Sequence, residues 1–220
     1  VMKLAQNFND AKVDKHVIKC RTGMPLAVVA KIALENNLKG LEFAHGIPGT
    51  VGGATVMNAG AYDGEMANVV TKVSVIDYDG NIYDIRKEDL NYSYRQCTLQ
   101  TGDKILLEVE MELIPGEYSE IKGKMEDFLA RRRQKQPLSV PSAGSTFKRP
   151  PGNYAGYLIE KAGLKGFRIG GAMVSDMHAG FIVNVDNATF EDVLNLMNYV
   201  REEVKAKFDV KLEPEVKIIG

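Results

Sequence analysis

The chain has 220 residues, of which 45% are hydrophobic and 26% charged, a composition typical of a globular protein with one large or two small domains. A formal net charge of −1 excludes a basic field for nucleic acid, and no apolar run reaches the length of a membrane-spanning helix. Two cysteines without a CxxC pair and three histidines without metal-ligand spacing argue against a disulfide scaffold and a metal site. No secretory signal is visible, so we expect a cytoplasmic protein.

The first half predicts strands around one helix. A short strand is expected at 16–20, and a helix at 25–37 with Pro25 in its first turn. Asp79-Gly80 predicts the turn of a hairpin formed by residues 69–85. Residues 106–113 alternate apolar and acidic side chains, which predicts a half-buried antiparallel strand with one apolar face: Leu107, Val109, Met111 and Leu113.

The second half predicts two amphipathic helices. Pro115-Gly116 breaks the strand pattern and predicts a domain boundary, and 118–136 reads as the first helix. The second helix is expected at 189–208, with Thr189 as its N-cap and Asp192 as an imperfect capping-box partner. A final strand is expected at 215–220, and the sum is an α+β protein with two lobes.

The stretch HGIPGTVGGATVMNAGAY, residues 45–62, holds five glycines and almost no charge. Glycines let a backbone approach a ligand closely and expose N–H groups to an anion. The spacing does not match the GxGxxG of a dinucleotide-binding turn, and no βαβ unit surrounds it. The residues alone leave open a ligand-facing segment or a tight loop packed on a neighbouring strand.

Residues 46–66, GIPGTVGGATVMNAGAYDGEM, closely resemble the flavin-facing segment of the UDP-N-acetylenolpyruvoylglucosamine reductases, FAD enzymes of peptidoglycan precursor synthesis. Four further stretches resemble this family in the same order: YSYRQC (92–97), KQPLSVPSAGSTFKRP (135–150), residues 158–184 and LEPEVKIIG (212–220). The resemblance covers essentially the whole chain. The compact pattern after Ser145 is similar to the shorter type of the family.

The resemblance implies two domains. Residues 1–115 would be the second half of an FAD-binding (PCMH-type) α+β domain, and 116–220 a smaller α+β substrate-binding domain. The last strand, about 214–220, could return to the flavin site. Ten residues are implied as FAD contacts: Gly46, Ile47, Pro48, Gly49, Thr50, Gly52, Gly53, Asn58, Gly60 and Ala61.

The reaction of the family is the reduction of UDP-GlcNAc-enolpyruvate to UDP-N-acetylmuramate. NADPH reduces the flavin, flavin N5 passes hydride to the vinyl carbon, and a proton reaches the adjacent carbon. The resemblance implies Arg95 as the cation near the carboxylate, Ser145 as the proton donor and Glu215 as a polarising carboxyl group. Without it, they read as a surface arginine, a turn serine and a solvent-facing strand residue.

Other residues are expected to bind the substrate. Tyr94 resembles the tyrosine of the family, and Arg132, in a basic run that could equally be a solvated helix end, is favoured as a diphosphate ligand. Lys148 and Arg149 are further candidates. Cys97 stands where the family often has serine. The sequence does not indicate an oligomeric state.

The chain opens in mid-pattern with Val1 and lacks a match to the glycine- and serine-rich loop that holds the FAD pyrophosphate in the family. We therefore expect this chain alone to bind FAD weakly or not at all. Two other functions stay open: a nucleotide-sugar binding or regulatory module without flavin, and an FAD oxidoreductase of the same fold that oxidises an alcohol with oxygen.

Overall fold

The structure is a computed structural model that describes residues 6–219. The chain divides into two compact units, one ending at Arg131 and the other beginning at Arg132. This division falls inside a long helix, later in the chain than Pro115-Gly116, and the domain boundary expected there stays a prediction. Among the described residues, no helix combines the length and apolar character that a membrane crossing requires.

The first unit is built on an antiparallel sheet. Its strands are β1 (Ala11–Asp14), β2 (Val17–Arg21), β3 (Leu38–Lys39), β4 (Gly60–Ala61), β5 (Gly64–Glu65), β6 (Val70–Asp77), β7 (Ile82–Arg86), β8 (Lys104–Glu112) and β9 (Ile114–Pro115). The order of strands in the sheet is β1-β2-β8-β6-β7, and the four short strands form two separate pairs, β3 with β9 and β4 with β5.

The central sheet has one apolar and one charged face. Val109 and Met111 of β8 are fully buried, whereas Glu110 opposes Lys19 of β2 and lies 3.1 Å from its Nζ. Cross-strand pairs of opposite charge stabilise such a face and keep it in water. The helices α1 (Leu26–Glu35) and α2 (Val51–Val56) contribute buried apolar residues to the core on the other face.

The strand β8 differs from its predicted alternation at one end. Leu106 is buried and Leu107 is only half-buried, because the pairing of β8 with β6 shifts by one residue between Ser74 and Val75. A β-bulge of this kind moves the following side chains to the opposite face. The predicted apolar face was therefore right at Val109, Met111 and Leu113 and wrong at Leu107.

The second unit packs helices on a four-stranded antiparallel sheet of order β10-β13-β12-β11, with β10 (Ser142–Ser145), β11 (Arg168–Ile169), β12 (Ala172–Val174) and β13 (Phe181–Asn184). The helices are α4 (Ala155–Lys161) and α5 (Phe190–Phe208). The long helix α3 (Tyr118–Lys135) precedes β10 in the chain, and its buried residues Ile121 and Met125 belong to the core of the first unit. Thr189 caps α5, and Asp192 completes a capping box by accepting from its backbone N–H at 2.9 Å. The apolar face of α5 is buried at Leu196, Val200 and Val204.

The strand expected at 215–220 was wrong over the residues that the structure describes. Residues 215–219 have no strand pairing, and a single isolated bridge joins Pro214 to Phe147. Gly220 lies outside the described residues. Proline at 214 donates no N–H, which is one reason why a regular ladder does not continue here.

Candidate active site

The glycine segment is fixed to the chain that follows β2. Val51 and Gly52 donate backbone hydrogen bonds to the carbonyls of Met24 (2.8 Å) and Thr22 (2.9 Å), and Thr50 Oγ1 accepts from the Gly53 N–H at the start of α2. A Cβ on Gly52 would lie 2.8 Å from Cβ of Thr22, closer than side chains pack. Close packing against Thr22 is therefore enough to explain why glycine is required at position 52, without a bound ligand.

The same segment presents an open backbone surface on its other side. Pro48, Gly49, Thr50 and Gly53 are exposed. A Cβ on Gly49 would meet no atom within 4 Å, and one on Gly53 would meet only Thr50 Oγ1 at 3.7 Å. A large planar group could lie against this backbone without displacing a side chain. The residues present thus fit a cofactor such as FAD.

Asn58 ends the segment and ties it to two others. It is fully buried, with φ +42°, a left-handed conformation that asparagine tolerates better than most residues. Its Nδ2 donates to the Ser93 carbonyl at 3.0 Å, and its Oδ1 accepts from the Ala67 N–H at 2.9 Å. Asn58 is one of the FAD contacts implied by the sequence, and these two bonds support a role of its side chain in anchoring the loop.

Arg95 lies in the loop that Asn58 holds. Its Nη1 donates to the Asn58 carbonyl at 3.2 Å and its Nη2 to the Gly60 carbonyl at 2.9 Å. The Tyr94 ring lies 5.0 Å from the Arg95 guanidinium carbon, and Tyr94 is half exposed. The structure thus brings together Arg95, Tyr94 and the Asn58–Gly60 part of the predicted flavin segment.

Two residues without an assigned role support this loop. Gln100 Nε2 donates to the carbonyls of Arg95 and Val56, at 3.0 Å each. Cys97 is buried, and its thiol donates to the Val56 carbonyl at 3.2 Å, so cysteine makes a bond that a serine hydroxyl could also make. Nothing in the local sequence marked Gln100, because one of its two partners, Val56, lies 44 positions away in the chain.

Ser145 and Glu215 lie at one edge of the second unit. Ser145 ends β10 opposite Phe181, is exposed, and its Oγ donates to the Phe147 carbonyl at 3.3 Å. The Glu215 N–H donates to the carbonyl of Thr146 at 2.9 Å, which brings the backbone of Glu215 beside that of Ser145. Thr146 is buried, and its Oγ1 accepts from the Ile182 N–H at 3.1 Å, so this edge is rigidly attached to β13.

The three predicted phosphate ligands, Lys148, Arg149 and Arg132, lie in different environments. Lys148 forms an ion pair with Glu213, whereas the exposed guanidinium of Arg149 stacks 4.0 Å from the ring centroid of Tyr154. Arg132 is half-buried in α3. Lys148 and Arg149 come three and four residues after Ser145, so two cationic side chains lie close in the chain to the proposed proton donor.

His178 supports the turn before β13. Its Nδ1 accepts from the Gly180 N–H at 3.0 Å, and its ring lies edge-on to Phe181, the residue opposite Ser145. Burial lowers the pKa of His178, since a charged imidazole would lose its hydration there. These contacts give His178 a structural role in this turn.

The comparisons with known proteins cover both units. A family model described as UDP-N-acetylenolpyruvoylglucosamine reductase, C-terminal domain, matches residues 136–219, and one described as FAD binding domain matches residues 1–86. The curated UDP-N-acetylenolpyruvoylglucosamine reductase of Caldanaerobacter subterraneus subsp. tengcongensis is 53% identical over 220 residues, which is all of this chain and 72% of that relative. The chain belongs to the UDP-N-acetylenolpyruvoylglucosamine reductase family.

Two further members of the reductase family agree. The curated reductase of Alkaliphilus metalliredigens is 49% identical over 220 residues, again all of this chain and 72% of the relative. A crystal structure of UDP-N-acetylenolpyruvylglucosamine reductase from Thermus caldophilus matches with a TM-score of 0.85 and 36% identity, covering 98% of this chain and 76% of that chain. The predicted family, α+β fold class, enzyme class and FAD cofactor are thereby confirmed.

Proposed function

We propose that this protein reduces UDP-N-acetylenolpyruvoylglucosamine to UDP-N-acetylmuramate in peptidoglycan precursor synthesis, with FAD as cofactor and NADPH as electron donor. Identity of 53% to a curated reductase over the whole chain supports the substrate, and the match to an FAD binding domain supports the cofactor. The single observation that carries the site is Arg95, whose guanidinium is held at 2.9 Å on the Gly60 carbonyl of the flavin segment. A cytoplasmic location stays a prediction.

When bound, FAD supplies the hydride chemistry between NADPH and the terminal carbon of the enolpyruvyl group. Addition of hydride leaves negative charge on the adjacent carbon, and this charge spreads into the carboxylate as an enolate. Arg95 stabilises it, because a guanidinium keeps its charge and can bond a carboxylate with two parallel N–H groups. The hydrogen bonds to Asn58 and Gly60 hold this cation in place before the substrate arrives.

Ser145 delivers the proton to the adjacent carbon, and Glu215 polarises the enolate. The exposed Ser145 hydroxyl already donates to a carbonyl, and rotation about its Cβ–Oγ bond can direct the proton elsewhere. A serine is a weak acid and needs strong polarisation, which a developing carbanion provides. Overall, NADPH, one proton and the enol ether give NADP⁺ and the saturated ether.

Four residues bind the substrate, three of them at its UDP part. Arg149, Lys148 and Arg132 offer cationic groups to the diphosphate, and Tyr94 lies beside Arg95 at the reacting end. The Lys148–Glu213 ion pair does not oppose this role, since both side chains reach solvent and an exposed pair contributes little. For FAD, the exposed backbone at Pro48–Thr50 and Gly53 is the surface we assign.

The decisive experiment separates the two half-reactions in the protein expressed from its complete gene. Flavin absorbance is followed anaerobically, first with NADPH and then with the enol ether. We expect Ser145→Ala to slow reoxidation by the enol ether about 100-fold or more, with reduction by NADPH within about twofold of wild type. The matched control is Ser142→Ala, an exposed serine of the same strand that should leave both rates near wild type.

The other outcomes discriminate the remaining functions. Equal loss in both half-reactions of Ser145→Ala would refute its role as proton donor. Bleaching by NADPH followed by recovery with oxygen alone, and none with the enol ether, would favour an oxygen-dependent oxidoreductase. A protein without any flavin signal that still binds the UDP-sugar would favour the binding module.

A further inference from the structure

We propose that Gln100 is a positioning residue for Arg95: its side-chain amide fastens the Arg95 backbone to the end of α2 and so fixes where the guanidinium lies. This inference rests on the role proposed above for Arg95. Gln100 itself need not touch substrate or cofactor. It acts through the two carbonyl groups that its nitrogen bonds.

The side-chain amide nitrogen of Gln100 donates both of its N–H groups to these two carbonyls. Nε2 donates to the carbonyls of Val56 and Arg95 at 3.0 Å each, which accounts for the two N–H donors of a glutamine. The weaker acceptor Met57 Sδ lies 3.4 Å from the same nitrogen. Its backbone is fixed as well, since Gln100 lies in the 3₁₀ turn Thr98–Thr101 and its N–H donates to the Cys97 carbonyl at 3.2 Å. The side chain is therefore a short, rigid strut.

The hydrogen bond from Gln100 reaches Arg95 at a point where the backbone conformation is strained. Arg95 has φ +57°, in the left-handed region, which is unfavourable for a side chain with a Cβ. Local bonds must over-determine such a conformation if it is to persist. The bond from Gln100 to the Arg95 carbonyl supplies one of them, and the Ser93–Gln96 bridge across the turn supplies another.

Arg95 is consequently held at both ends on one segment. Its carbonyl is connected through Gln100 to Val56, and its guanidinium bonds the carbonyls of Asn58 and Gly60. Without the strut, the carbonyls of Val56 and Arg95 lose a donor, and the turn is free to relax while the rest of the unit stays folded. A displacement of about 1 Å in a catalytic group can cost about 100-fold in rate.

The test uses Gln100→Leu, Gln100→Lys and the control Gln96→Leu in the FAD-loaded protein from the complete gene. Leucine removes the donors, whereas lysine restores N–H groups that can serve both carbonyls. We expect Gln100→Leu to slow flavin reoxidation by the enol ether about 10- to 100-fold at saturating substrate, with NADPH reduction within about twofold of wild type. Gln100→Lys should recover most of the rate. Gln96 is exposed in the same turn, and Gln96→Leu should match wild type.

Two further measurements separate this proposal from the role of Arg95. Amide hydrogen exchange without substrate should be faster over residues 93–97 in Gln100→Leu than in wild type or Gln96→Leu; unchanged exchange would overturn the proposal. In an Arg95→Ala background, Gln100→Leu should slow reoxidation no further, and a full additional loss would also overturn the proposal.

If Arg95→Ala alone is reoxidised like wild type, the role proposed for Arg95 fails, while hydrogen exchange still tests the role of Gln100. Should Gln100→Leu not fold, Gln100→Asn, too short to reach both carbonyls, replaces it with the same expectations.

Discussion

Substitution of Asn58 by alanine should destabilise the protein by about 3 kcal/mol. The side chain makes two hydrogen bonds from a fully buried position, to the Ser93 carbonyl and the Ala67 N–H, each contributing about 1 kcal/mol net. Alanine must also keep φ near +42°, which costs about 1 kcal/mol more. In the alanine variant the Ser93 carbonyl keeps its hydrogen bond from the Gln96 N–H at 3.2 Å. Loss of the bond from Asn58 to this carbonyl should therefore cost no more than about 1 kcal/mol.

The backbone and side-chain terms can be measured separately with Asn58→Gly. Glycine adopts positive φ without penalty, so this variant should be about 1 kcal/mol more stable than Asn58→Ala while losing the same two hydrogen bonds. Urea unfolding near neutral pH, followed by far-UV circular dichroism, gives both values. A loss below about 0.5 kcal/mol for Asn58→Ala would refute the two bonds. Equal stability of the alanine and glycine variants would refute the left-handed conformation.

Four other predictions concern the glycine segment, acid stability and helix capping. Gly52→Ala should lower the free energy of unfolding by about 1–3 kcal/mol, because the new Cβ meets Thr22 at 2.8 Å. Gly53→Ala, in open space within α2, should raise the free energy of unfolding by up to about 1 kcal/mol. In the protein from the complete gene, the same variant should weaken FAD binding in a fluorescence titration; unchanged FAD affinity would remove Gly53 from the cofactor surface. The depressed pKa of His178 means that the unfolded chain binds the proton first, so stability should fall as pH drops below about 6.5, and the fall should be smaller in His178→Asn across a pH series of urea titrations. Thr189→Ala should cost about 1 kcal/mol through loss of the N-cap of α5, and a thermal midpoint equal to wild type would contradict the capping box.

Local patterns predicted the regular elements well. The hairpin forms around Asp79-Gly80 as β6 and β7, and α5 begins one residue after its predicted cap Thr189. Such signals depend on residues close in the chain, where turn conformation and capping act. The candidate catalytic residues came from the order of motifs resembling one family, and their roles as cation, proton donor and polarising group stay predictions.

The two predictions that were wrong concern strands, which depend on pairing between distant segments of the chain. A one-residue shift opposite Ser74 and Val75 decides that Leu106 rather than Leu107 is buried, and no alternation within 106–113 contains that information. Residues 215–219 have the composition of a strand, yet only Pro214 makes a bridge, because a strand exists only where a neighbour offers its hydrogen-bonding edge.

The sequence by itself therefore determined the composition class, the local elements and the family, and it marked Arg95, Ser145 and Glu215 as candidates. Tertiary structure alone decided which glycine packs against a neighbour and which one leaves its backbone exposed: Gly52 touches Thr22, and Gly53 faces free space. It also assigned a supporting part to Gln100, whose bond to Val56 spans 44 positions of the chain. Hydrogen bonds between such distant residues depend on how the backbone folds back on itself, and short-range sequence patterns carry no record of that geometry.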